Sequence, residues 1–146
     1  MPLTEPAREA AERSDAPPIE AATVEVPASS ANLGPGFDAL ALALELRLRV
    51  TMRWVPVRDG QGGWPPPLVS LLAAGEGAER LERGPENRIW QAALRLFEAV
   101  EPPEWAEAWG VEVEEANAIT LAAGLCSSAA AAVAGVWAAN ALVGSP

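Results

Sequence analysis

The chain contains no histidine, and all ten of its basic residues are arginine, so lysine is absent as well. Those two gaps exclude a Ser-His-Asp triad, an imidazole zinc site, a Schiff-base lysine and a Walker A lysine. Cysteine occurs once, at Cys126, and a single thiol closes no internal disulfide, so a reducing, cytoplasmic compartment is expected. Positive charge is scarce: the formal net charge is −10. Phosphate neutralisation on nucleic acid needs clustered cations, and anionic membranes attract basic surfaces, so neither is an expected partner. The opening residues, MPLTEPAREAAERSDAPPIEAA, mix acids, arginines and prolines and lack the apolar core of a secretory signal. The one long uncharged run, Ser127 to Val143, is rich in weakly hydrophobic alanine and holds Asn140. At about 17 residues it lies at the short limit for a membrane span, and a buried helix is expected instead.

What is present suits one domain with a sizeable core: 146 residues, half of them hydrophobic. Residues 1–21 read as a disordered acidic tail, low in large apolar groups, and residues 22–146 as the folded part. Order is expected from Thr23, where TVEV alternates, and PASSANLGPGFD after it is rich in turn formers and reads as irregular. From Leu40 to Trp54 every even position is large and apolar. That period predicts a half-buried antiparallel strand, or two strands through a bulge, although Leu, Ala, Glu and Arg are good helix formers. DGQGGWPPP reads as a loop and LVSLLA as a short strand. Glu86 to Val100 has a helical apolar face with Asn87 near its cap, and Val111 and Val113 suggest another strand. The class is therefore α+β.

Two loops could carry chemistry. ITLAAGLCSSAA opens the alanine-rich helix, where Ser127 or Ser128 is the expected cap. A helix N-terminus offers unpaired N–H groups and partial positive charge, and small residues let that backbone approach a phosphate. Serine hydroxyls coordinate Mg²⁺ in other phosphate-binding loops. The same residues also suit a buried helix with an ordinary serine cap and a glycine turn. In PASSANLGPGFD, Asn32 and Asp38 lie between predicted strands, a common setting for substrate-binding groups. They equally suit turns in which each bonds only its own backbone.

Together, VEVPASSANLGPGFDALALAL and NAITLAAGLCSSAAAAVAGVWAANALVG resemble the first two signature regions of the homoserine kinases, within the GHMP kinase superfamily. ENRIWQAALRLFEAV resembles the segment between them. The resemblance implies a GHMP kinase N-terminal, ATP-binding domain over residues 22–146. Its sheet would be antiparallel or mixed, with helices packed on one face, in a ribosomal-protein-like fold. It implies ATP-dependent phosphorylation of L-homoserine to O-phospho-L-homoserine, a step of threonine biosynthesis. ATP and Mg²⁺ would be required, and the full-length protein could form a homodimer.

By position, Thr120, Leu121, Ala122, Ala123, Gly124, Leu125, Cys126, Ser127, Ser128, Ala129 and Ala130 would wrap the triphosphate. Ser128 would meet Mg²⁺, Asn87 the adenine base, and Asn32 and Asp38 the substrate; no catalytic residue is assigned. Thr120 stands where the family usually has proline, and Cys126 where it usually has glycine. The second departure matters if that position needs φ > 0. The family's C-terminal domain has no counterpart in the sequence, so the chain reads as an N-terminal fragment, inactive alone. Three rival readings are another GHMP small-molecule kinase such as a mevalonate-type kinase, a non-catalytic nucleotide-binding or interaction module, and an RNA-binding module.

Overall fold

The computed structural model describes residues 16–31, 33–37, 39–58 and 60–144. Six elements follow in order: β1 (Ala21–Ala31), β2 (Ala41–Pro56), β3 (Leu68–Gly75), α1 (Arg88–Ala99), β4 (Trp109–Asn117) and α2 (Ser127–Leu142). The sheet order is β1-β2-β4-β3. β2 runs antiparallel to both β1 and β4, whereas β3 and β4 are parallel and joined through α1. The class is α+β, as the mixture of patterns predicts, with one parallel crossover inside a mostly antiparallel sheet.

Period two wins over helix propensity along β2, because alternation lets one face of a strand turn wholly inward. Leu48, Val50, Met52 and Trp54 are buried there, beside Ala22 of β1, Leu71 of β3 and Val111 and Val113 of β4. Ile89, Trp90, Ala93 and Phe97 of α1, and Ala130, Ala134, Ala138, Ala139 and Leu142 of α2, complete the core. Burial of each large apolar side chain contributes roughly 1.5–3 kcal/mol.

The first half of β2 behaves differently. β4 pairs only with Leu48–Pro56, and Leu42 and Leu46 on the continuing strand are exposed, as is Leu40 just before it. The opposite face of the sheet is polar: Arg49 pairs with Glu25, Arg53 with Glu114, and the Thr23 and Thr51 hydroxyls bond across the strands.

The stretch PASSA is strand rather than irregular loop. β1 continues through Pro27 to Ala31, with its register shifted between Pro27 and Ser29. A strand at the sheet edge, broken by a bulge, tolerates a residue that lacks an N–H. Of the residues expected in the tail, Pro17 is buried, the Glu20 carbonyl accepts from the Trp54 N–H and Ala21 opens β1, while residues 1–15 lie outside the described residues.

Helix α1 is fixed at both ends. Asn87 Oδ1 accepts from the N–H groups of Ile89 and Trp90 at its start. At its end, the Trp64 indole N–H donates to the carbonyls of Phe97 (2.8 Å) and Val100 (3.1 Å), which meets acceptors the helix leaves open. The alanine content of α2 has a packing cause: a Cβ on Gly135 would collide with the Ile89 carbonyl, so only small residues allow the two helices this close. Among the described residues no helix is long and apolar enough to cross a membrane.

Candidate phosphate-binding site

The segment between β4 and α2 has an uncommon backbone. Ala122, Gly124 and Cys126 all have positive φ, at 58°, 71° and 54°, and the two residues between them do not. Where the residues between left-handed ones are right-handed, such a run turns successive N–H groups toward one side and suits an anion. Cys126, with ψ 36°, is the residue that precedes α2, and no side chain caps this helix. The expectation of a Ser127 or Ser128 cap is therefore corrected, because the left-handed residue ends the loop one position earlier. The first intrahelical N–H bond runs from Ala130 to the Cys126 carbonyl. The N–H groups of Ser127, Ser128 and Ala129 consequently have no partner inside the helix, at the positive end of its dipole.

The loop is exposed where a ligand would approach and anchored where it meets the core. Thr120, Ala122, Ala123, Gly124, Ser128 and Ala129 are exposed, whereas Leu121, Leu125 and Cys126 are half-buried and Ala130 is buried. Its first residues are held by Asn117, whose Oδ1 accepts from the Ile119 N–H (2.9 Å) while Nδ2 donates to the Ile119 carbonyl (2.9 Å). Its far end meets β1, where the Ser29 N–H donates to the Leu125 carbonyl at 3.3 Å. That bond brings together the two stretches singled out in the sequence. Asn32 and Asp38, three and nine residues beyond Ser29, lie outside the described residues; between them Gly34–Gly36 forms one turn of 3₁₀ helix.

Asn87 sits differently from an open adenine contact. It is 4% exposed. Oδ1 caps α1, and Nδ2 donates to the Glu82 carbonyl (2.8 Å) and to Glu115 Oε2 (3.4 Å). All of the side chain's bonding capacity is thus used within the fold. Glu115 was not anticipated from the sequence. Burial pushes its carboxyl above the ordinary carboxylate range, and the bond from Asn87 partly offsets this. The alternation VEVEEAN carried the only hint, since it puts Glu115 on the same inward face as Val111 and Val113. Among the described residues no group of three or more Cys, Asp and Glu side chains is arranged to hold a metal ion.

Residues 87–146 match the family model described as the GHMP kinases N-terminal domain. The chain is similar to the GHMP kinases, in their N-terminal domain. It is 42% identical over 123 residues to a homoserine kinase of Synechococcus sp., and 43% identical over 120 residues to one of Symbiobacterium thermophilum. These alignments cover 84% and 82% of this chain but 36% and 33% of the relatives. The chain therefore spans about a third of the length of the curated relatives it matches. A crystal structure of homoserine kinase from Cytophaga hutchinsonii superposes with a TM-score of 0.65 at 31% identity, over 86% of this chain and 36% of that one. Mevalonate pyrophosphate decarboxylase of Streptococcus pyogenes, at a TM-score of 0.52 and 16% identity, shares the fold.

Proposed function

We propose that this GHMP domain is the ATP-binding part of a homoserine kinase, which transfers the γ-phosphoryl group of ATP to the hydroxyl of L-homoserine. The observation that carries this reading is the backbone of Ala122–Cys126, with positive φ at every second residue, opening directly onto the free N–H groups of Ser127, Ser128 and Ala129. Such a cradle neutralises phosphate charge without a lysine, which suits a chain that has none. Relatives of this sequence at 42–43% identity are homoserine kinases, which supports the choice of acceptor.

Mg²⁺ would arrive with the nucleotide as part of the substrate. The Ser128 hydroxyl, exposed in the first turn of α2, is the donor this chain offers it. Asp38 would hold the amino group of homoserine, and Asn32 would line the same pocket. Asn87 would shape the adenine end of the site through its cap on α1. Catalysis of this kind rests on positioning and charge stabilisation rather than on a strong base.

Titration of the chain with MgATP tests the nucleotide half of the reading. Binding should raise the melting temperature, and Ser128→Ala should weaken it in Mg²⁺ more than in EDTA; absence of any MgATP-dependent shift would sink the reading. A chimera tests the acceptor: residues 16–144 replace the matching segment of the Synechococcus relative. It should release ADP with L-homoserine and not with mevalonate, and Asp38→Asn should abolish the homoserine-dependent rate.

A further inference from the structure

Three polar side chains are buried among the described residues, Asn87, Glu115 and Asn117, and they form one seam at the end of β4. Asn117 is its most connected member. Its backbone carbonyl accepts from the Glu76 N–H (2.8 Å), and its Nδ2 donates to the Glu76 carbonyl (3.0 Å) and to the Ile119 carbonyl (2.9 Å). Its Oδ1 accepts from the Ile119 N–H. One residue thus grips the turn that leaves β3 and the first residue of the glycine loop. The approach is tight: a Cβ on Gly75 would strike the Asn117 carbonyl, and one on Gly77 would strike the Leu121 side chain. Further along the same seam, Asn87 ties Glu82 to Glu115, so the 76–87 segment is held at both ends.

We propose that Asn117 is a positioning residue, which sets the glycine loop of residues 119–126 against the 76–87 segment and so fixes how the two lie against each other. The role in ligand binding rests on reading that loop as the triphosphate cradle. Carbonyls at Glu76 and Ile119 both point into one amide, so neither loop moves without breaking bonds to the other. An apolar side chain at this inward-facing position would keep only the backbone bond to the Glu76 N–H and lose the three side-chain bonds to the Glu76 carbonyl and to both backbone groups of Ile119.

Amide hydrogen exchange on the ligand-free chain reads the clamp. Asn117→Ala should speed exchange at Glu76, Ile119 and onward to Leu125 by about tenfold or more, with α1 and α2 unchanged. Leu71→Ala, which opens the core under the same sheet, is the control: at matched global stability it should leave the two loops as in wild type. Should Asn117→Ala fail to fold, Asn117→Asp keeps the acceptor for Ile119 and loses both donations, and should free Glu76 more than Ile119. Unchanged loop exchange in the Asn117 variants, or equal loosening by Leu71→Ala, overturns the proposal. A MgATP titration adds the second arm. Binding weakened about tenfold by Asn117→Ala supports the positioning role, since small misplacements of binding groups are costly. Binding left intact overturns it. If wild type takes up no MgATP, the nucleotide reading fails by itself, and the exchange comparison still decides the clamp.

Discussion

Gly135 of α2 lies directly against the backbone carbonyl of Ile89 in the first turn of α1, closer than any side chain would permit. The N–H of that same Ile89 is bonded to Asn87, so the tightest helix crossing sits beside the cap and the buried polar seam. Gly135→Ala would normally strengthen a helix by up to about 1 kcal/mol. Here the added methyl must push α1 away from α2, and overpacking of this kind costs about 1–3 kcal/mol. Packing should win, with a net loss of about 1–2 kcal/mol. Urea denaturation measures it, and a raised midpoint would contradict the crossing described here.

Asn87 offers a test in which the cap survives and the seam does not. Asn87→Asp retains an oxygen for the N–H groups of Ile89 and Trp90, and aspartate is as good an N-cap as asparagine. It loses both donations, however, and turns an acid toward the Glu82 carbonyl and the Glu115 carboxyl. Stability at neutral pH should fall by about 2 kcal/mol, more than cap propensity allows, because a buried acceptor is left unpaired. Part of the loss should return at acidic pH, where the new carboxyl is protonated. Equal stability of the two proteins across pH would show that the contact with Glu115 is inconsequential.

How much of this was legible in the sequence depends on the kind of signal. The eight even positions from Leu40 to Trp54 announce a strand because side-chain period is a local property. They do not say that Leu48, Val50, Met52 and Trp54 become buried while Leu40, Leu42 and Leu46 stay exposed, since burial depends on partners far away in the chain. The loop at 119–130 could be located from its small residues and serines, and the need for φ > 0 at Cys126 could be posed. Ala122 gave no such sign, because alanine seldom adopts that conformation and only the surrounding backbone imposes it. Asn117 and Glu115 looked like ordinary strand residues, for their partners Glu76 and Asn87 lie 41 and 28 positions away.

Cys126, at φ 54° and ψ 36°, answers the question its sequence position raised: the loop does demand the left-handed region there. An L-residue in that region costs roughly 1–2 kcal/mol. Glycine removes the cost and gives back about 0.5–1 kcal/mol through the freedom of its unfolded chain. Cys126→Gly should therefore be neutral to about 1 kcal/mol stabilising, with nucleotide affinity equal or better. Cys126→Val, β-branched and poorly suited to positive φ, should cost about 1–3 kcal/mol. Thermal denaturation of the pair checks the order; a valine variant as stable as the glycine one would mean that the loop is not left-handed at this residue.

The buried carboxyl of Glu115 gives the fold a pH dependence of defined sign. Burial raises its pKa in the folded state above the unfolded value, against a smaller opposing effect of Asn87. Between those two values the folded protein binds more protons than the unfolded chain, so stability contributed by this group falls as pH rises through the window. Below the ordinary carboxylate pKa both states are protonated and the contribution is flat. Glu115→Gln keeps the shape, cannot ionise, and removes the slope. The variant should match wild type most closely at low pH and gain on it as pH rises above the ordinary carboxylate value, then hold a constant advantage once Glu115 is ionised in both states. Denaturant unfolding at a series of pH values reads the difference, in which all other titrating groups cancel. An advantage that is constant from acid upward would place Glu115 in water rather than in the seam.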